Sequence, residues 1–183
     1  FTHEYISKIL DKIRDQYLTK RPVTKFNIKK NKILKILHLT NFNERHDGRL
    51  YFNTGRRLNN GFIRLGHSIL EFSDRDIQKY YKSFNDLKGA KTLNDKLKKT
   101  CYNYKPDLII MGHADLISRQ QISELKDDYP NVKIGQWFLE QLNKKGPDFE
   151  RNKERIMDKI DIVDSSFLTT SPSALGFLPK NNN

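Results

Sequence analysis

The sequence predicts an α/β domain built on a doubly wound, mainly parallel, Rossmann-like sheet and preceded by an amphipathic helix. Three observations predict it. Short apolar runs, ILKILHLT, HSILEFS, PDLIIMG and VKIGQWF, recur along the chain from Ile33 onward. Each run is continuous rather than alternating, the pattern of strands buried on both faces. Between the runs lie longer stretches with apolar residues three and four positions apart, which is the spacing of helices that cover such a sheet.

The elements follow in order. Ile6, Ile9, Leu10, Ile13 and Tyr17 share one face of a helix over residues 1–20, interrupted at Arg21-Pro22 because proline lacks the amide proton a helix needs. VTKFNIKKNK has no stable period and reads as a basic connector. Residues 1–30 are therefore helix and connector, and residues 31–183 are the Rossmann-like domain. In that domain ILKILHLT is the first strand, a helix runs from about Leu50 to Leu65, and HSILEFS is the second strand. A tyrosine-rich stretch and a helix from about Leu93 to Asn103 lead to PDLIIMG. SRQQISELKDDYP is a helix ended by Pro130, VKIGQWF the fourth strand, and DFERNKERIMDKI a charged helix before a last strand within DIVDSSFLTTS.

With 183 residues the chain suits one domain with a substantial core. Its net charge of +12 suits an anionic partner such as nucleic acid, nucleotide phosphates or an acidic membrane surface. Lysine and asparagine are frequent everywhere, however, so the charge also reads as a general compositional bias. No apolar run approaches the roughly 20 residues of a bilayer-spanning helix, and no signal-peptide pattern follows Phe1. The expectation is a soluble, cytoplasmic chain, and the ends at Phe1 and PKNNN suggest a piece of a longer protein. The single Cys101 forms no internal disulfide and reads as a small buried apolar residue.

In open parallel sheets ligands bind beyond the carboxyl ends of the strands, so the loops there are the candidate site. The first, NFNERHDGRL, offers Asn41, Arg45, His46 and Arg49 as partners for a phosphate, carboxylate or sugar hydroxyl, with Gly48 for a left-handed turn or a close backbone approach. It carries neither G-x-G-x-x-G nor a P-loop, so it does not read as a nicotinamide or ATP site. The third strand ends in MGHADLIS, placing His113 at the rim as a candidate general base, with Asp115 to orient its ring or cap the next helix; Ser118 competes for the cap. The fourth brings Trp137 and Glu140 to the same rim, the indole suited to stacking on a sugar or a base. His38 and His67 read as structural. No cysteine cluster or zinc spacing is present, so no protein-bound metal is expected, and no G-x-S-x-G elbow appears.

TGRRLNNGFIRLGHSILEFSDRD together with KPDLIIMGHADLIS resembles the N-terminal domain of glycosyltransferases of the GT-B architecture. Leu58, Phe62, Leu65, Gly66 and His67 match the family's helix that ends in glycine before the second strand, and VKIGQWFLE resembles a strand lining the route to the sugar site. The resemblance spans roughly residues 33–170. It implies a domain that binds mainly the sugar or glycan acceptor and holds no cofactor of its own, while a C-terminal domain absent from this chain binds the nucleotide-sugar donor. It further implies attack by an acceptor hydroxyl on the anomeric carbon, with His113 in the catalytic role, Arg45 and Arg49 near phosphate charge, and no turnover by this chain alone. ERHDG stands where the family often has a double glycine.

A phosphoacceptor domain is excluded because Gly112 or His113 occupies the position that would need an aspartate, and LTNF supplies no acidic pair. A basic nucleic-acid-binding or interaction domain draws support from the charge and from QKYYKSF, where tyrosines adjoin lysines.

Overall fold

The computed structural model describes residues 32–179 and, before them, Lys8. The amphipathic helix expected over residues 1–20 lies outside the described residues. Strands β1 (Lys35–Thr40), β2 (Ser68–Phe72), β3 (Leu108–Gly112), β4 (Lys133–Phe138) and β5 (Ser165–Leu168) form one sheet in the order β2-β1-β3-β4-β5. Every neighbouring pair is parallel, as the continuous apolar runs predict. The strand order reverses between β1 and β3, which makes the carboxyl ends of those two strands the switch point of the fold.

Alternation along the strands divides the core into two layers. Leu37, Leu39, Ile109, Met111 and Ile134 face one side. There they meet the apolar stripes of α3 (Ala90–Tyr104), through Leu93, Leu97 and Cys101, and α4 (Arg119–Asp128), through Ile122 and Leu125. Ile36, Ile110 and Trp137 face the other side, where Leu58 and Phe62 of α1 (Thr54–Arg64) pack on them. Helix α5 (Phe149–Met157) buries Ile156 against Phe138 and Leu142. Helices thus cover both faces and the arrangement is doubly wound.

Two elements differ from the sequence reading. Helix α1 starts at Thr54 rather than near Leu50, because the Asn53 side chain accepts the Arg56 amide at 3.0 Å and caps the helix there. Gly55 lets this first turn approach β1: a Cβ there would lie 2.7 Å from the Thr40 methyl. The other difference is a helix of seven residues, α2 (Asp74–Tyr80), directly after β2, where the sequence reading placed no element. Its first turn contains Asp74 and Asp76, both buried.

Candidate functional site

Beyond β3 the chain turns sharply. His113 has a left-handed backbone, φ 48°, and the Asp115 amide donates back to its carbonyl at 2.9 Å. Ser118 then caps α4 in a reciprocal capping box with Gln121. Ser118 is thus the cap, and Asp115 is left to other partners. The turn lays the His113 ring over Phe138, 4.6 Å between centroids, and edge-on to Trp137 at 5.4 Å. Its Nε2 lies 2.9 Å from the Glu140 carboxylate. Burial holds the imidazole below its ordinary value, against the opposing pull of Glu140 and Asp115. In the neutral ring Nε2–H donates to Glu140, which leaves Nδ1 as the lone-pair nitrogen.

A cavity of about 360 Å³ opens at this point. The turn after β3 contributes His113 and Asp115 to its wall, β4 contributes Trp137 and Phe138, and the last turn of α5 with the residues just after it contributes Glu154, Arg155, Asp158 and Lys159. Those four recur at the spacing of one helix face. Asp115 accepts from Arg75 at 2.9 Å and lies 3.4 Å from Arg155, while Lys159, only 6% exposed, pairs with Asp158 at 2.5 Å. The sequence reading missed this second wall, whose only signal was the charge pairs of ERIMDK at helical spacing.

Trp137 is held from behind. Its Nε1–H donates to His38 Nε2 at 3.0 Å. His38 therefore carries its proton on Nδ1 and gives it to Asn59 Oδ1 at 2.5 Å, and Asn59 donates in turn to Glu71, which also accepts from Arg56. Both His38 nitrogens are thus satisfied, Nδ1 by an acceptor and Nε2 by a donor, so a fully buried histidine needs no charge. Burial lowers the His38 pKa accordingly. Gly112 is what admits the indole: a Cβ at that position would run into the Trp137 ring.

The first loop behaves differently from the rim of β3 and β4. Asp76 accepts from the Glu44 amide at 2.8 Å, from Arg45 Nη1 at 2.7 Å and from the Ser73 hydroxyl. Burial alone would raise this carboxyl, but the hydrogen bonds from Ser73, the Glu44 amide and Arg45 outweigh it and hold the pKa down. Arg45 also donates to Asn41, so both predicted ligand groups are committed within the protein. His46 is half-buried in the following turn. Gly48, φ 82°, and Arg49 are exposed, and no atom crowds Gly48, which serves the turn rather than a close approach. The structure therefore gathers His113, Asp115, Trp137 and Glu140 at one place, with none of Asn41, Arg45, His46, Gly48 or Arg49 in the cavity wall.

Asp74 borders the same region through Arg75. Its Oδ1 accepts the Arg75 amide at 2.8 Å, whereas the buried Oδ2 has no partner. Burial pushes its pKa up to about 6, against Arg75 and aided by the negative charges of Asp115 and Asp76. No group of three or more His, Cys, Asp or Glu side chains suited to a metal ion occurs among the described residues. No family model and no curated protein matches this chain.

Proposed function

We propose that this domain forms the acceptor side of a glycosyltransferase cleft, transferring a sugar from a nucleotide-sugar whose main binding site lies on a second domain. The observation that carries the reading is the cavity beyond β3 and β4, in which hydrogen-bonding groups surround the His113 ring against an aromatic wall. Sugars present hydroxyls at their edges and C–H groups on their faces, so a ring of polar groups beside Trp137 and Phe138 suits them. His113 Nδ1 is the acceptor that can receive a hydroxyl proton as the oxygen attacks the anomeric carbon. Glu140 holds the ring's orientation and favours the imidazolium that results. Arg45 is tied to Asp76, so phosphate charge falls to other groups.

The test is a titration of the 15N-labelled chain with a panel of oligosaccharides. Shifts clustered at Gly112–Asp115, Trp137–Glu140 and residues 154–159 are expected, and their absence, or their loss of clustering, would refute the reading. A nucleic-acid reading is favoured by one feature: Tyr80, Tyr81 and Phe84 are exposed, and the Lys96 ammonium lies 4.0 Å from the Tyr81 ring centroid. The same titration with a single-stranded oligonucleotide separates the two, since that reading requires shifts at residues 80–84.

A further inference from the structure

We propose that the turn between α2 and α3 docks this domain on the surface of an anionic lipid bilayer, with Phe84 and Leu87 entering the acyl boundary and Lys79, Lys82, Lys88 and Lys91 meeting the headgroups. The proposal stands apart from the acceptor-side reading above. The turn is short and firmly built. The Ser83 amide donates to the Asp86 carbonyl at 3.2 Å and the Asp86 amide to the Ser83 carbonyl at 3.0 Å, which leaves Phe84 and Asn85 at the tip. The Asp86 carboxylate accepts the Thr92 amide in the first turn of α3 at 2.8 Å. Gly89, φ 68°, packs so closely that a Cβ there would run into the Gln78 carbonyl. A turn fixed this tightly nevertheless leaves Phe84 100% and Leu87 73% exposed, and Tyr80 and Tyr81 are exposed just before it.

Charge gives the occupant. From Lys79 to Lys91 the sequence carries four lysines and a single acidic residue, Asp86. All four lysines are exposed, and Asp86 is bonded to the α3 amide. An apolar tip is thus ringed by positive charge, and acyl burial and attraction to acidic headgroups add to each other in interfacial binding. Lysine stems reach back to the headgroups while the tip lies deeper, and tyrosines suit the headgroup level. No helix among the described residues is long and apolar enough to cross a membrane, so the contact is peripheral. The nucleic-acid reading uses the same aromatic residues, and three features favour lipid over it. Leu87 has no ring to stack on a base. One face of Tyr81 is already taken by the Lys96 ammonium, 4.0 Å from the ring centroid. Phe84 stands on a projecting turn, whereas a nucleic-acid strand is tracked along a groove.

The experiment is co-sedimentation of the 183-residue chain with vesicles of phosphatidylcholine alone and of phosphatidylcholine mixed with phosphatidylserine. Binding to the mixed vesicles, weakened by salt, and little binding to the neutral ones are expected. Any chain of net charge +12 is drawn to anionic lipid, so the decisive variant is Phe84→Ala, which keeps every charge. It should weaken binding about tenfold, the effect of one apolar side chain withdrawn from the acyl boundary. Lys82→Glu combined with Lys88→Glu should weaken it by about a hundredfold. Because Phe84 is wholly exposed, Phe84→Trp should fold like the parent, and the emission it adds to that of Trp137 should shift to the blue on mixed vesicles. No binding to the mixed vesicles, equal binding by the parent and Phe84→Ala, equal binding by the parent and the double reversal, or an unmoved added emission would overturn the proposal. Binding of a single-stranded oligonucleotide that is lost in Phe84→Ala while vesicle binding is not would overturn it too, in favour of the nucleic-acid reading.

Discussion

Replacing Asp74 by Asn changes one buried charge and almost nothing of the shape. Asp74 is fully buried, with Oδ1 accepting the Arg75 amide and Oδ2 without a partner, so one oxygen of the ionised carboxylate has no compensating donor. Its pKa rises from 3.8 to about 6. A raised folded value means that the native state binds the proton more tightly than the unfolded chain. Stability from this group is therefore fully present below the unfolded pKa and is lost as pH rises through the folded one. The loss is about 3 kcal/mol at about pH 8 and less than about 1 kcal/mol at about pH 4. Asn keeps the carbonyl that accepts the Arg75 amide but cannot ionise. The orphaned amide costs a roughly constant 1–2 kcal/mol, so at about pH 8 the variant should gain about 1–2 kcal/mol net. The assay is urea unfolding followed by Trp137 fluorescence at several pH values. His38 and His113, whose pKa values are lowered, act oppositely and lose stability as pH falls below the unfolded histidine value, but they do so equally in both proteins. The difference between the two curves isolates Asp74. A difference that stays constant between about pH 8 and about pH 4 would refute the reasoning.

Three further outcomes are expected. Gly112→Ala drives a methyl into the Trp137 ring and should destabilise the fold by about 1–3 kcal/mol, with a change in tryptophan emission that marks displacement of the indole. Trp137→Phe leaves His38 Nε2 buried without its donor and should cost about 1–3 kcal/mol in addition to the lost contacts. The chemical shift of the His38 ring nitrogen checks that this bond is the one removed. At His113, whose φ is 48°, replacement by Gly should be less destabilising than replacement by Ala by about 1 kcal/mol. Equal midpoints for the two variants would show that the left-handed turn carries no strain.

The sheet was legible because its strands are continuous apolar runs, and buried parallel strands are written that way. The strand ends therefore also located the rim, and His113, Asp115, Trp137 and Glu140 meet there. Helix α2 was not legible: SDRDIQKY is short and polar, and acidic residues ordinarily mark a solvated surface, whereas Asp74 and Asp76 are interior. The fate of the first loop was hidden for a related reason. Its anchor, Asp76, lies 31 and 32 residues away from Arg45 and Glu44, and no local pattern announces the pairing. The hydrogen-bonded chain behind the cavity joins residues 21 and 99 positions apart, so His38 reads as structural from its place in a strand, while its role in steadying Trp137 does not.

The anchoring of the first loop by Asp76 also bears on how this surface can change over generations. Glu44 and Arg45 are pinned to α2, and the loop's far end is fixed by Asn53, whose amide donates to the Phe42 carbonyl at 3.2 Å. The stretch from Asp47 to Phe52 is exposed between these two clamps. Insertions and substitutions there should leave the sheet and the cavity undisturbed. A lineage carrying this domain can therefore diversify what the tip meets while the neighbouring chemistry stays constant.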